Sequence, residues 1–182
     1  MRELSLNVLD IAQNSIVAAA TVITLSVTES HADNRLTIGI EDNGKGMTEE
    51  TLAKVRDPFY TTRTTRKVGM GIPLFRMAAE MAGGSLTIES TLNVGTKVVA
   101  DFELDNIDRM PLGDMVGTVV TLIRLNPHID FVYRHTVDES TFEADTRNFR
   151  EILGDVPLNE PDIIDWIGAY LTENLQLLNS QA

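Results

Sequence analysis

The chain has 182 residues, 43% of them hydrophobic and 23% charged, with no cysteine and a formal net charge of −12. That is enough to bury a core in one domain, or in a domain with an appendage, and too apolar for a disordered tail. Without cysteine there are no disulfides, thiolate metal sites or cysteine nucleophiles. No apolar run reaches the roughly 20 residues of a membrane span, and no apolar signal core follows Met1-Arg2-Glu3-Leu4, so a cytoplasmic protein is expected. Residues 1–104 hold 13 acids and 10 bases, whereas residues 105–182 hold 14 acids and 5 bases. An acidic surface of this kind speaks against nucleic acid as a partner, because phosphate neutralisation needs cations.

Leu4, Val8, Ile11 and Ile16, with a run of alanines, predict a helix over 4–20. The β-branched alternation of Thr21 to Glu29 and the stretch Arg35 to Glu41 predict a hairpin turned at His31-Ala32-Asp33-Asn34. Asp42-Asn43-Gly44-Lys45-Gly46 breaks the periodicity, and Thr48 caps a short helix over 48–55 with Glu49 and Glu50 in its first turn. Residues 57–71 are polar and irregular. A helix follows from about Pro73 to Ala82, stopped by Gly83-Gly84, then strands over 85–90 and 95–104. Helices and strands do not alternate strictly, which favours a two-layer α/β sandwich with a mixed sheet over a doubly wound parallel fold. Residues 105–182 predict a smaller α/β extension: a helix near 115–123, a hairpin over 129–137 and 141–145, a short helix over 148–153 and an amphipathic helix over 161–178. The division expected is 1–104 and 105–182. The hairpin either supplements the main sheet or belongs to an independent appendage, and the apolar face of 161–178 suits core packing or a homodimer contact.

Four local patterns carry chemistry. Asp42 ends a strand before Gly44 and Gly46, which sets a carboxylate at a rim where backbone can approach a ligand; Asp-Asn-Gly is equally a good turn. Asp10 and Asn14, at i and i+4, share one helix face, and hard oxygen donors of this kind suit Mg²⁺ or simply solvent. Gly69-Met70-Gly71 leads into a helix N-terminus, a ready anion site, behind a loop bearing Thr61, Thr62, Arg63, Thr64, Thr65, Arg66 and Lys67. Gly95-Thr96 lies within a strand, where glycine permits close approach or forms a bulge. His31, His128 and His135 sit in a turn, after a proline and in a strand, and read as structural or surface residues.

In order and spacing these stretches resemble the ATP-binding domain of the GHKL superfamily, which joins histidine kinases, gyrase, mismatch-repair ATPases and heat-shock chaperones. LDIAQNSIVAAA resembles its N box and EDNGKGM its first glycine box; DPFYTT, GMGIPL and GTKV resemble the phenylalanine box and the two later glycine boxes. The histidine kinase branch is the nearest in pattern, over roughly residues 4–104. The resemblance implies the histidine kinase-like ATPase fold, with ATP and Mg²⁺ as ligands. It implies that Asp42 accepts a hydrogen bond from the adenine amino group, with Thr96 in support, that Gly44 and Gly46 admit the purine, and that Met47 lines its pocket. Asn14 would hold Mg²⁺ and Phe59 would anchor the start of an ATP lid over 60–71. In that lid Thr61, Thr62, Arg63, Arg66, Lys67, Gly69, Met70 and Gly71 would meet the phosphates.

Three departures matter. Asp10 stands where hydrolytic members carry a glutamate base, and it is one methylene shorter; Val17 stands where gyrases and chaperones often carry aspartate. The N box begins within the first ten residues, so a helical domain bearing a phospho-accepting histidine is not expected ahead of it. The expected function is a Mg-ATP-binding signalling protein that acts as a kinase or ATPase on a separate protein partner. A non-catalytic ATP-gated assembly module and an anti-sigma-type serine kinase with Asp10 as general base are the alternatives.

Overall fold

The computed structural model describes residues 2–57 and 70–181. The predicted hairpin forms from β1 (Val22–Ser30) and β2 (Arg35–Asp42), antiparallel with Ile23 opposite Asp42. β3 (Ser85–Thr91) and β4 (Gly95–Glu103) form a second hairpin, whose β4 pairs antiparallel with β2. A third, β5 (Asp130–Val137) and β6 (Ser140–Asp145), joins the same sheet because β5 lies parallel to β1, Val27 opposite His135. The six strands run in the order β3-β4-β2-β1-β5-β6, a mixed sheet.

Each strand buries one row. Ile23, Leu25 and Val27 of β1 line up with Ile40 and Ile38 of β2 and with Phe131 and Tyr133 of β5. The alternate row is mostly polar, with Thr24, Ser26, Thr37, Lys97, Asp101 and Arg134, and includes Val132 as a buried apolar member. Period-2 alternation of this kind marks a sheet covered on one face only. The covering layer is α1 (Leu4–Val17), α3 (Gly71–Met81), α4 (Met115–Leu125) and α6 (Pro161–Ser180), with α2 (Glu49–Arg56) and α5 (Thr146–Leu153) at the flanks. One core runs through all of it, from Phe75 and Phe102 to Leu122 and Ile167.

Local chemistry sets the helix ends. The Thr48 hydroxyl accepts from the Thr51 N–H at 3.2 Å, Asp114 from the Gly117 N–H at 2.8 Å and Asp145 from the Arg147 N–H at 2.9 Å, so each caps its helix. Two starts differ from the periodicity: α3 opens at Gly71 rather than near Pro73, and α5 at Thr146 rather than 148. α1 stops at Val17 although alanines continue to residue 20. Ala19 adopts φ +59°, and the Ala20 N–H returns to the Ser15 carbonyl at 3.1 Å, a left-handed termination that turns the chain into β1.

The extension is built into the site-bearing half. The N–H groups of Leu4 and Ser5, at the open start of α1, donate to the carbonyls of Pro111 and Leu112 at 2.9 and 2.8 Å. The Thr118 hydroxyl of α4 reaches the Ser5 carbonyl at 3.3 Å. α6 buries Ile164, Ile167 and Leu171 in the common core, so this face of the helix packs inside the chain.

Candidate functional site

α1, the end of β2, the loop after it, the start of α3 and β4 enclose a cavity of about 250 Å³. Its walls are Ile11, Ile40, Met47, Val55, Ile72 and Val98. Its polar atoms come from Asn14, Ser15, Asp42, Lys45 and Thr96. An apolar slot with a few convergent polar groups is the ordinary construction of a small-molecule site.

Asp42 is the buried charge at its floor. β2 delivers it on the helix-facing row, 9% exposed. Its Oδ2 accepts from the Ser15 hydroxyl at 2.5 Å and its Oδ1 from the Gly44 N–H at 2.8 Å. Each carboxylate oxygen can accept about two hydrogen bonds, so each retains acceptor capacity for a ligand. Ser15 sits on the face of α1 that carries Ile11 and Ala18, so one helix supplies the amide of Asn14 at the mouth and the hydroxyl that fixes Asp42.

The glycines of the loop serve backbone packing. A Cβ on Gly46, at φ +64°, would sit 2.0 Å from the Thr91 carbonyl oxygen, and one on Gly95 would sit 1.9 Å from the Asp42 carbonyl oxygen. Neither position tolerates a side chain. Gly44 lies against Ala18, whose carbonyl also accepts from the Lys45 N–H at 2.9 Å. Ser90 ties this loop to β4: its hydroxyl accepts from the Met47 N–H at 2.9 Å, donates to the Gly95 carbonyl at 3.1 Å and lies 2.8 Å from the Thr96 hydroxyl.

Of the residues singled out from the sequence, Asn14, Asp42, Gly46, Met47, Gly71 and Thr96 meet around this cavity. Gly44 packs behind it. Asp10 is exposed and outside the lining, although its Cβ borders the start of α3, 3.5 Å from where a Gly71 Cβ would be. Met70 is 69% exposed and points away from the core. Phe59, Thr61, Thr62, Arg63, Arg66, Lys67 and Gly69 lie outside the described residues. Ser15, Ser90 and Lys45 escaped the sequence reading. Ser15 had a usable signal, a polar residue four after Ile11 on an apolar face; Ser90 had none for its bond to Met47, which lies 43 residues away in the chain.

The donor set suits a purine nucleotide: a carboxylate acceptor at the floor, apolar walls for a flat base, and an amide oxygen with a helix N-terminus at the mouth. Among the described residues no three His, Cys, Asp or Glu side chains converge on a metal site. A divalent ion held by Asn14 would therefore draw its other ligands from phosphate and water. Also among the described residues, no helix is long and apolar enough to cross a membrane.

Known proteins agree with this geometry. Residues 1–106 match the family model described as histidine kinase-, DNA gyrase B- and HSP90-like ATPase. A putative sensor protein of Shewanella frigidimarina is 32% identical over 102 residues, 55% of this chain and 16% of that protein. The C4-dicarboxylate transport sensor protein DctB of Pseudomonas aeruginosa is 31% identical over 99 residues, 54% of this chain and 16% of its own length. Sporulation kinase D of Bacillus subtilis is 30% identical over 91 residues, 50% of this chain and 18% of that kinase. The chain thus matches about a sixth of the length of these relatives. Among solved structures, the N-terminal domain of a DNA repair protein superposes with TM-score 0.56 at 14% identity, covering 79% of this chain and 52% of that one. The MutL ATPase domain of Aquifex aeolicus, complexed with ADP, superposes with TM-score 0.50 at 13% identity, covering 84% and 69%. At such identities the structures speak for the fold alone. With more than half of its length matched, the chain belongs to the family of histidine kinase-, DNA gyrase B- and HSP90-like ATPases.

Proposed function

We propose that this protein binds Mg-ATP in the cavity between α1 and β2 and uses it to act on a separate protein partner, as a kinase or as an ATP-driven switch in cytoplasmic signalling. The observation that carries this reading is Asp42, a buried carboxylate with spare acceptor capacity at the floor of an apolar slot. Asp42 would accept from the exocyclic amine of adenine while Ile11, Ile40 and Val98 flank the ring. Thr96, held by Ser90, would hold a water beside it. Asn14 would ligate Mg²⁺ through its amide oxygen, and the Gly71 N–H at the start of α3 would donate to a phosphate. When bound, the nucleotide supplies a transferable phosphoryl group. Relatives that include sensor proteins and a sporulation kinase support phosphoryl transfer as the activity.

The exposure of Asp10 favours a second reading, in which nucleotide occupancy gates partner binding without turnover. A general base must reach the attacking group directly or through one water. An anti-sigma-type serine kinase, the third alternative, needs Asp10 in that role.

Calorimetry with a non-hydrolysable ATP analogue and Mg²⁺ tests binding. Asp42→Asn is expected to weaken affinity about 10- to 100-fold, the loss of a charge-assisted hydrogen bond. Unchanged affinity in a folded sample removes the proposal. Labelled ATP incubated with partner proteins then separates transfer from gating, and Asp10→Asn abolishes transfer only if Asp10 is a base.

A further inference from the structure

The far end of the extension carries a surface that the nucleotide cavity does not use and that lies beyond the family-matched residues 1–106. Trp166 of α6 is 46% exposed. It is also rigidly held: its ring stacks on Tyr170 at 5.4 Å and 12°, and Phe149 of α5 meets it edge-on at 5.5 Å. One turn beyond Phe149, Ile152 is 77% exposed, and Val156 follows at 45%. Asp162, Trp166, Ala169 and Glu173 form one solvent-facing stripe of α6, at helical spacing i, i+4, i+7 and i+11.

The charge around these apolar groups is of one sign. From Glu151 to the end of the chain there is no lysine or arginine, while Glu151, Asp155, Glu160, Asp162, Asp165 and Glu173 are all exposed. The nearby arginines are already spent, Arg147 on Asp145 and Arg150 on Asp130. None of the six carboxylates has an ion-pair partner among the described residues. An aromatic and aliphatic centre inside a charged rim has the anatomy of a protein interface, and Trp and Tyr are its usual anchors.

The sign of the rim selects the occupant. A second copy of this chain would bring six like charges against six, and anionic surfaces are repelled in the same way. A lysine or arginine side chain can instead lie over the open face of Trp166 while meeting the Asp162 and Asp165 carboxylates. We infer that the outer face of α5 and α6 docks a cationic segment of a partner protein, with an apolar side chain seated against Ile152 and Val156.

Trp166 is the sole tryptophan, so its emission reports on this face directly. The full chain is titrated with a synthetic amphipathic peptide of alternating lysine and leucine faces, and with the same peptide carrying glutamate for lysine. The lysine peptide is expected to shift Trp166 emission saturably, the glutamate peptide to leave it unchanged. The Asp162→Asn, Asp165→Asn double variant, a surface change that circular dichroism should show to be folded, is expected to weaken the lysine peptide at least tenfold. Ile152→Ser is expected to weaken it at least fivefold. Equal response to both peptides, no Trp166 response, or undiminished affinity in the double variant overturns the inference. Sedimentation showing a dimer that Trp166→Ala dissolves overturns it too, by assigning the face to a second copy. The nucleotide proposal is read by calorimetry and stands or falls separately.

Discussion

Ser15 shows how much can depend on one hydroxyl. A carboxylate free to rotate in the slot would present its oxygens to the ligand in many orientations; Asp42 is held by two donors, one from α1 and one from its own loop. Ser15→Ala should leave the fold intact and lower ATP affinity about five- to tenfold, within the worth of one charge-assisted hydrogen bond. It should also narrow the preference for ATP over purine riboside triphosphate, which lacks the 6-amino group; competition binding measures both. A second buried polar chain lies on the same sheet face at the opposite end of β1. His135 Nε2 meets Glu29 at 3.2 Å, and Tyr133 Oη meets Nδ1 at 2.8 Å. Because the ionised carboxylate only accepts, Nε2 carries a proton; with the imidazole neutral, the tyrosine hydroxyl donates to Nδ1. The hydrogen bond from His135 holds the Glu29 carboxyl below its ordinary 4.5, while burial, more than the Glu29 charge, pushes the Tyr133 hydroxyl up. A depressed carboxyl contributes stability above its unfolded value and loses it as pH falls through that range. Glu29→Gln should therefore cost about 1 kcal/mol near pH 7. Denaturant titrations at stepped pH should find that deficit shrinking as the pH drops below 4.5.

At the scale of elements, most of the secondary structure was legible because period and caps agreed. The Thr48 cap, the hairpin turn at His31 to Asn34 and the amphipathic α6 all stand where the pattern put them. The end of α1 was not legible. Alanine is the best helix former, yet the helix must stop so that Val22 can enter the sheet, and tertiary demand outweighs propensity. The result is Ala19 in the left-handed region at φ +59°. Ala19→Gly should relieve that strain and raise stability by about 0.5–1 kcal/mol, a rise in Tm measurable by calorimetry. The same substitution logic reversed explains Gly46: Gly46→Ala drives a Cβ into the Thr91 carbonyl.

For the molecule as a whole, the parallel pairing of β5 with β1 decides what the extension is. It covers β1, which would otherwise be a sheet edge, and α4 and α6 bury the apolar row that β5 and β6 present. Cutting the chain after residue 106 would leave that edge unpaired and strip from α1 the packing that α4 gives it. The truncated protein is expected to aggregate or to bind a hydrophobic dye, and the intact chain to unfold in one transition by both Trp166 emission and far-UV circular dichroism. α4 is also the piece that grips the start of α1, so the extension is anchored to the helix that carries Asn14 and Ser15.

Local pattern was enough for most of the elements and for the mixed α/β class; the motif residues at the cavity were legible only from the order and spacing of several segments, each of which alone suits a turn, a solvated face or a bulge. Asn14, Asp42 and Thr96 were visible because their segments together resemble one family's motifs in order. What tertiary structure alone decided involves partners far apart in the chain: Ser15 on Asp42 across 27 residues, Ser90 on Met47 across 43, and β5 choosing β1. Such pairings leave no period to read, because hydrogen-bonding groups and strand edges are satisfied by whichever segment the packed core brings to them.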